Sequence, residues 1–468
     1  MLKLAAIILA AGHGTRMKSS TPKVLHLLAG RPLIYYSVRA ALDAGASDVV
    51  VVVGRGAQAV ESYLAATFGK AVRTASQADQ RGTGHAALMA MPVLGNVENT
   101  LVLYGDTPLL EVSDLRALAT ALEGRPDASL ALMTCVLDDP TGYGRVLRDD
   151  KGRVVAIREH RDLRNEKERA ISEVNPGVYA ARVAFLREAL GQLTPNNAQN
   201  ELYLTDVVEA AGKKGGAIAL PTQPTSLSGV NDRAQLAAAE AAMHRRIAER
   251  LARSGVTMHG ESRIDSAVEV ALDVTIHAGV ELRGKTIVKA GATIDVGCIV
   301  TDAVIETGAT ILPYSVITSS RVGPRARIGP FAHLRPDSDI GEEAHVGNFV
   351  ETKKTIMHAR AKANHLAYLG DGEVGEATNV GAGTIFCNYD GFSKHKTTLG
   401  RDVFIGSDSQ IVAPVTVGDG AYVATGTTVT SDVPNDALAI SRGRQENKPG
   451  YATKLRAKLG ARASQTKK

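Results

Sequence analysis

The chain has 468 residues, of which 44% are hydrophobic and 22% are charged. This composition is typical of a globular protein and excludes a disordered or fibrous chain, and the length predicts two or three domains. The formal net charge is +5, but the tail 442–468 holds nine Lys or Arg and one Glu, so it carries +8 and the remainder −3. Because the body lacks basic aromatic patches, we expect no nucleic-acid partner.

The apolar run 4–11 is the only feature that resembles a signal peptide, and its eight residues are short for that role. No apolar segment approaches the roughly 20 residues of a membrane helix, so we expect a soluble protein without a membrane partner. Cys135, Cys298 and Cys387 are far apart and lack a metal-binding spacing. This cysteine pattern predicts a reduced, cytoplasmic protein.

Short apolar runs alternate with helical stretches in the first part of the chain. The predicted strands cover 4–9, 49–53, 100–103 and 130–136, and the predicted helices cover 33–44, 57–66 and 113–122. The alternation predicts a Rossmann-like α/β domain with a parallel sheet and a binding site at the carboxyl ends of its strands.

A glycine-rich turn follows the first predicted strand, where the sequence reads LAAGHGTRM and then PKVL. Backbone N–H groups of such a turn can approach phosphates, and Arg16 and Lys23 supply positive charge. The turn has no Walker A pattern, and Met17 occupies the third glycine position of a dinucleotide fingerprint. A G-x-G alone is usually an ordinary turn, but T-R-M and P-K at this spacing favour a nucleotide site.

Asp106 ends the run 101–106, which closes with the string LYGD. A carboxylate at a strand end beside a phosphate loop is a natural Mg²⁺ ligand, because Mg²⁺ uses one or two protein oxygens plus substrate phosphates. The alternative is a turn residue or an N-cap for the helix near Ser113. The nearby Arg16 favours the metal role.

The segment 231–254 is rich in Ala and Arg and contains neither Gly nor Pro. It predicts a helix about 30 Å long that ends before Gly255. Such a helix either connects two domains or lies on the surface of the first.

An aliphatic residue recurs every six positions in the second half of the chain, with two shifts of phase and one interruption. The positions are Ile264, Val270, Ile276, Leu282, Val288, Ile294, Val300; Ile305, Ile311, Ile317; Val322, Ile328, Leu334, Ile340, Val346; and Leu399, Ile405, Ile411, Val417, Val423, Val429. A period of six fits neither an amphipathic helix nor an alternating strand, and it is the hexapeptide pattern of a parallel β-helix.

The repeat is interrupted at 353–368 and at 387–396. Insertions in a solenoid are usually loops on the binding face, so both intervals predict loops at a site. These observations predict the domains 1–230, 231–253 as a linker helix, 254–441, and a basic tail 442–468. The tail either contacts an anionic ligand or is a frayed end, and we favour fraying beyond about residue 450.

Several strings together resemble the family of bifunctional N-acetylglucosamine-1-phosphate uridyltransferases and glucosamine-1-phosphate acetyltransferases, over nearly the whole chain. The strings are LAAGHGTRM, PKVLH, Gln77 with Gly82-Thr83-Gly84-His85, LYGD, DDPTGYGR, Glu159-His160, Glu173-Val174-Asn175 and Gly229-Val230-Asn231. The resemblance implies a Rossmann-like nucleotidyltransferase domain followed by a left-handed parallel β-helix, assembled as a homotrimer. It implies acetylation of glucosamine 1-phosphate and then UMP transfer, giving UDP-N-acetylglucosamine for cell-envelope precursors.

The resemblance also implies the first site, which takes UTP, N-acetylglucosamine 1-phosphate and Mg²⁺. The UTP and sugar contacts would be Leu9, Ala10, Ala11, Gly12, Lys23, Gln77, Gly82, Thr83, Tyr104, Gly105, Asp106, Gly144, Glu159, Asn175 and Asn231, with Arg16 as a catalytic residue and Asp106 and Asn231 as metal ligands. Catalysis would be positioning and charge stabilisation, with no covalent intermediate. Pro176 stands where the family more often has Thr.

The second implied site needs a base, because the glucosamine amine is largely protonated near neutral pH. His365 is the candidate base. Glucosamine 1-phosphate would contact Arg335, Lys353, Tyr368 and Asn379, and acetyl-CoA would contact Ala382, Asn388, Tyr389, Ser407, Thr425 and Arg442. Two residues depart from the family pattern: Asn364 replaces Gly, and Thr425 replaces Ala.

Two other functions remain open at this stage. The chain could be a single-activity sugar nucleotidyltransferase whose β-helix is structural or regulatory. A β-helix that acts only as a protein-interaction scaffold is less favoured, because its loops are short and lack a large apolar surface. His365, Lys353 and the 388–389 pair distinguish these functions, since a structural solenoid does not need them.

Overall fold

The computed structural model describes residues 3–223 and 229–465. Contacts divide the chain into two compact units, Met1–Arg250 with Ile264–Ser266, and Leu251–Arg263 with Ala267–Lys468. The helices are α1 (Leu33–Asp43), α2 (Ala57–Phe68), α3 (Thr83–Ala90), α4 (Val112–Glu123), α5 (Glu166–Arg169), α6 (Val183–Gly191), α7 (Asp206–Lys213), α8 (Arg233–Arg253) and α9 (Tyr451–Gln465). None of the helices within the described ranges combines the length and apolarity needed to cross a bilayer.

The first unit is built on one twisted sheet. Its strands are β1 (Leu4–Leu9), β4 (Ala46–Val53), β5 (Val72–Ser76), β6 (Asn99–Tyr104), β7 (Leu130–Val136), β8 (Gly144–Arg148), β9 (Val154–Arg158), β10 (Glu173–Asn175), β11 (Tyr179–Arg182) and β12 (Ala217–Pro221), and a separate small hairpin pairs β2 (Leu27–Leu28) with β3 (Arg31–Pro32). The order is β5-β4-β1-β6-β11-β7-β10-β8-β9, with β12 beside β7. All four predicted strands form.

The expected parallel pairing holds at the centre of this sheet, where β1 pairs with β4 and β6. The strand β11 departs from it, because it runs antiparallel to both β6 and β7. β1 is buried along its whole length: Ala6 and Ile8 pack into one core cluster, and Ala5 and Ile7 pack into another. A strand covered on both faces is apolar without alternation, which is why this run is so clear in the sequence.

The second unit contains a parallel β-helix of three faces with eleven, ten and nine short strands. The first face comprises Thr257–Met258, Thr275–Ile276, Thr293–Ile294, Thr310–Ile311, Arg327–Ile328, His345–Asn348, Lys362–His365, Asn379–Val380, Phe404–Ile405, Tyr422–Val423 and Leu438–Ala439. The second face comprises Arg263–Ile264, Glu281–Arg283, Ile299–Thr301, Val316–Thr318, His333–Leu334, Glu351–Lys353, Tyr368–Gly370, Ile385–Cys387, Gln410–Val412 and Thr428–Val429. The third face comprises Glu269–Val270, Ile287–Val288, Val304–Ile305, Arg321–Val322, Asp339–Ile340, Ile356–Met357, Gly372–Val374, Thr397–Leu399 and Val415–Val417.

The aliphatic repeat positions point into the β-helix. Ile276, Ile294 and Ile311, for example, are fully buried on successive coils of the first face. The phase shift near residue 300 arises because one coil has 17 residues instead of 18. Thr275 pairs with Thr293, 18 residues later, whereas Thr293 pairs with Thr310, 17 residues later. Each coil therefore keeps three inward side chains despite the change in length.

The prediction of a loop at 353–368 is wrong. The interval continues the β-helix through Ile356–Met357 and Lys362–His365. Its inward positions are filled by Met357 and Ala363, which are 1% and 0% exposed, rather than by Ile, Leu or Val. A count of branched aliphatic residues therefore missed a regular coil.

The second interruption, 387–396, does contain a loop, between Ile385–Cys387 and Thr397–Leu399. An antiparallel bridge between Tyr389 and Lys394 closes it. The tail beyond residue 450 differs from the frayed end that we favoured, because α9 covers Tyr451–Gln465. The side chains of 451–463 are all exposed.

Candidate active sites

A cavity of about 440 Å³ lies at the carboxyl ends of β1 and β6. Most of the predicted nucleotide contacts line it: Leu9, Ala10, Ala11, Gly12, Lys23, Gln77, Gly82, Thr83, Tyr104, Asp106 and Asn231. Gly105 is a neighbour whose N–H donates to the Leu9 carbonyl at 2.9 Å. The structure thus gathers residues that are more than 200 positions apart in sequence around one concave site.

Gly82 lies at a closely packed point in the lining of this cavity. Its φ of +102° is in a region that favours glycine, and a Cβ there would lie 2.5 Å from the Leu202 carbonyl oxygen. The Gln77 side chain donates to the Gly82 carbonyl at 3.0 Å, and Thr83 Oγ1 accepts from the Leu204 N–H at 3.1 Å. Backbone and side-chain hydrogen bonds therefore fix the polar groups that face the cavity.

A second cavity of about 280 Å³ shares Tyr104, Asp106 and Asn231 with the first. Arg16 lines this second cavity. It belongs to a 3₁₀ turn, Thr15–Met17, that follows the left-handed Gly14. The loop thus places Lys23 in one cavity and Arg16 in the adjoining one, on either side of Asp106.

Asp106, Asn231 and Lys23 form a cluster between the two cavities. The Lys23 ammonium bonds to the Asp106 carboxylate and lies 3.3 Å from Asn231 Oδ1. Asp106 is not the cap of the following helix, since α4 begins after Glu111. Two hard oxygen donors that converge on one cation fit the preference of Mg²⁺. No group of three His, Cys, Asp or Glu suited to a metal occurs within 3–223 and 229–465.

Gly144, Glu159 and Asn175, which the resemblance implies as contacts of the N-acetylglucosamine, come together but line neither cavity. Asn175 is the Cα partner of Gly144, and a Cβ on Gly144 would lie 3.4 Å from Glu159 Oε1. The Asn175 amide donates to the Tyr179 hydroxyl at 2.7 Å, while Glu159 accepts from the Thr205 hydroxyl at 3.1 Å. Burial raises the pKa of Glu159 above its ordinary value. The neighbouring Pro176 does line the second cavity.

The sequence interpretation missed several lining residues. The first cavity also includes His13, Val24, Gln80, Ala86 and Glu201, and the second also includes Thr107, Thr141, Gly142, Tyr143, Gly229 and Gln235. Thr141 and Tyr143 lie inside the DDPTGYGR string and could have been chosen from it. Glu201 and Gln235 carry no local signal, because their places depend on tertiary contacts.

In the β-helix, five residues line one edge between the first and second faces: Asn348, His365, Ala382, Ser407 and Thr425, which we call the His365 edge. Backbone hydrogen bonds of 2.7–3.0 Å join each coil to the next at this edge. The N–H donors and carbonyl acceptors are Leu366 to Asn348, Gly383 to Leu366, Asp408 to Ala382, and Gly426 to Ser407. Arg442 extends the edge, because its guanidinium donates to the Thr425 carbonyl at 2.6 Å. The candidate base and four predicted acetyl-CoA contacts therefore form one continuous row.

The predicted contacts for glucosamine 1-phosphate lie on two faces of the chain. Arg335, Lys353 and Tyr368 follow one another on three coils of the second face. Asn379 lies on the first face, where it pairs with Lys362 and Phe404. Arg335 donates to Glu351 at 2.7 Å. The four residues therefore lie on two adjacent faces of the β-helix.

The neighbouring residues Asn388 and Tyr389 differ in exposure. Asn388 is 5% exposed, and its amide donates to Asp371 Oδ2 at 2.5 Å, so its side chain holds the loop. Tyr389 is 60% exposed, and its hydroxyl donates to the Gly391 carbonyl at 2.6 Å. Only Tyr389 presents a side chain to a ligand in this conformation.

Comparisons with known proteins agree with both units. A family model described as the MobA-like NTP transferase domain matches residues 6–192, and one described as bacterial transferase hexapeptide (six repeats) matches 396–431. A protein named bifunctional protein GlmU from Sorangium cellulosum (strain So ce56) is 60% identical over 461 residues, which cover 97% of each chain. The chain belongs to the bifunctional GlmU family.

Other GlmU proteins match over a similar length. The protein of Anaeromyxobacter sp. (strain Fw109-5) is 51% identical over 97% of this chain and 93% of its own. The protein of Trichlorobacter lovleyi is 46% identical over 97% of this chain and 98% of its own. Membership in the GlmU family confirms the resemblance and the predicted fold, a nucleotidyltransferase domain followed by a left-handed β-helix.

Proposed function

We propose that the chain carries out two reactions: it acetylates glucosamine 1-phosphate with acetyl-CoA, and it transfers UMP from UTP to N-acetylglucosamine 1-phosphate, releasing pyrophosphate. The product, UDP-N-acetylglucosamine, serves cell-envelope synthesis. Family membership over 97% of the chain carries this function and argues against a single-activity enzyme. The functional division is 1–230 for uridyl transfer, 231–253 as a linker helix, 254–441 for acetyl transfer, and a basic tail 442–468. Free thiols at all three cysteines suit a cytoplasmic location.

UMP transfer takes place in the cavities beside β1 and β6. An oxygen of the sugar phosphate attacks the α-phosphorus of UTP, and the bond to pyrophosphate breaks. The loop backbone at Gly12 and the cations of Arg16 and Lys23 hold the phosphates and stabilise the charge that develops on them. Gln77 and Thr83 orient the base, and Glu159 and Asn175 hold the acetylated sugar. Positioning and electrostatics supply the catalysis.

Asp106 and Asn231 would hold Mg²⁺ in this reaction. When bound, the metal would supply positive charge to the phosphates of UTP. The convergence of both oxygens on the Lys23 ammonium supports this role. Lys23 would then be free to contact a phosphate.

Acetyl transfer takes place along the His365 edge. The glucosamine nitrogen attacks the thioester carbonyl, a C–N bond forms, and the C–S bond breaks. His365 accepts the proton of the amine and can return it to the departing sulfur. Arg335 and Lys353 supply charge for the sugar phosphate, and the Ala382 N–H and Arg442 lie along the row expected for acetyl-CoA.

Two assays on one preparation test this function. Thiol release from acetyl-CoA should require glucosamine 1-phosphate and proceed without UTP. Pyrophosphate release from UTP should require N-acetylglucosamine 1-phosphate and Mg²⁺ and proceed without acetyl-CoA. Pyrophosphate release without thiol release would leave a single-activity enzyme and contradict the proposal.

A homotrimer is the second part of the proposal. The resemblance to the family implies this assembly, and hexapeptide repeats are compatible with oligomerisation. Three stacked aromatic rings also lie at the edge between the first and second faces, at Tyr314, Phe331 and Phe349, which are 53%, 48% and 56% exposed. Leu366, which is 60% exposed, continues this apolar row next to His365. Such a row favours burial against another copy.

The variant Phe331→Glu should weaken the trimer, because it places a charge in the middle of the aromatic row. We expect a smaller species in sedimentation velocity, together with loss of thiol release and unchanged pyrophosphate release. Phe392→Glu is the control, since Phe392 is 95% exposed outside the row. A Phe331→Glu protein that stays trimeric and active would exclude this row from the interface.

A further inference from the structure

Asn348 is the residue of the His365 edge that has no role so far. It ends the strand His345–Asn348, and its Cα partner on the next coil is His365. Asn348 Oδ1 lies 2.7 Å from His365 Nδ1. The only side-chain partner of the His365 ring in the ranges 3–223 and 229–465 is thus an amide oxygen.

This contact determines which ring nitrogen carries the proton. With the Asn348 amide oriented so that its oxygen faces the ring, that oxygen can only accept a hydrogen bond, and Nδ1 is the donor. In the neutral imidazole, Nε2 then holds the lone pair. A base that removes a proton from an amine needs that lone pair, and the imidazolium formed afterwards keeps its Nδ1–H bond to Asn348.

The backbone holds Asn348 firmly against His365. A Cβ built on Gly347 would lie 1.9 Å from the Asn364 carbonyl oxygen, so the two coils approach too closely here for any residue but glycine. The Leu366 N–H donates to the Asn348 carbonyl at 3.0 Å. Asn348 is half-buried whereas His365 is exposed, so the amide anchors the more exposed ring.

We infer that Asn348 is a positioning residue for acetyl transfer: it fixes the tautomer and orientation of His365 so that Nε2 faces the amine. This inference rests on the proposed role of His365 as the base. It assigns to Asn348 no contact with glucosamine 1-phosphate or acetyl-CoA. Its loss should therefore change the rate of the chemical step and leave substrate binding nearly unaltered.

The variant Asn348→Ala tests this inference in steady-state assays of thiol release. We expect kcat to fall by about 10- to 100-fold, less than the loss of about 10⁴-fold that follows when a buried triad carboxylate is replaced and the imidazole takes the wrong tautomer. The KM for each substrate should stay within about twofold of wild type. Asn348→Asp keeps an acceptor for Nδ1–H, so it should recover most of the lost kcat.

Asn364→Ala is the matched control. Asn364 adjoins His365 on the same strand, and its buried Oδ1 has no hydrogen-bond partner among the described residues. We expect this variant to keep the wild-type kcat and pyrophosphate release to be normal in all variants. Equal kcat in Asn348→Ala and wild type, or failure of Asn348→Asp to recover, would overturn the inference. An inactive wild type would instead refute the proposed acetyl transfer itself.

Discussion

In the His365→Ala variant we expect thiol release from acetyl-CoA to fall by about 10²–10⁴-fold, the usual contribution of a positioned general base. Without the imidazole, the glucosamine amine has no group at the His365 edge to take its proton. UMP transfer should continue at the wild-type rate, because its residues lie in the other unit. The measurement is thiol release and pyrophosphate release on the same preparation.

Truncating His365 should cost little stability, since its side chain is exposed and surface substitutions usually change the free energy of unfolding by less than about 0.5 kcal/mol. His358→Ala is a suitable control. His358 is also exposed, and it lies 2.9 Å from Glu373 Oε1, away from the His365 edge. Equal losses in the two histidine variants would show a general effect of histidine removal, and a fully active His365→Ala protein would remove His365 as the base.

The Asp106→Ala variant should lose pyrophosphate release by about 10²–10³-fold, the loss that removal of one preorganised electrostatic group typically causes. Asp106 is the only carboxylate of its cluster with Lys23 and Asn231. Its removal takes away the charged oxygen donor proposed for Mg²⁺. Acetyl transfer should be unchanged.

Asp127→Ala is the control for Asp106→Ala, because Asp127 pairs with Arg125 at the surface of the same unit. Direct Mn²⁺ binding, followed by the paramagnetic resonance of the free ion, should weaken in Asp106→Ala and stay normal in the control. Retention of both Mn²⁺ binding and pyrophosphate release in Asp106→Ala would exclude Asp106 from the metal site.

Much of the fold could be predicted because burial is periodic in this chain. A central strand covered on both faces, such as Leu4–Leu9, is continuously apolar. In the β-helix, an inward position recurs about every six residues as the chain passes from one face to the next. Where the inward residue is small, as at Ala363, the pattern disappears although the coil persists. The antiparallel β11 was also not predictable, since strand direction depends on long-range pairing.

The residues of the candidate sites were likewise only partly predictable from the sequence. Local strings mark the phosphate loop at Gly12 and the strand end at Asp106. Contacts between distant residues need the structure: Lys23 meets Asn231, and Asn348 meets His365 one coil later. The sequence also shows no sign that Asn388 is buried on Asp371.

The most direct test measures UDP-N-acetylglucosamine formed from glucosamine 1-phosphate, acetyl-CoA, UTP and Mg²⁺. The assay compares wild type, His365→Ala alone, Asp106→Ala alone, and an equal mixture of these two variants. Two independent sites that share a released intermediate predict UDP-N-acetylglucosamine from wild type and from the mixture, and almost none from either variant alone. Product from His365→Ala alone, or none from wild type, would contradict the assignment of two activities to this chain.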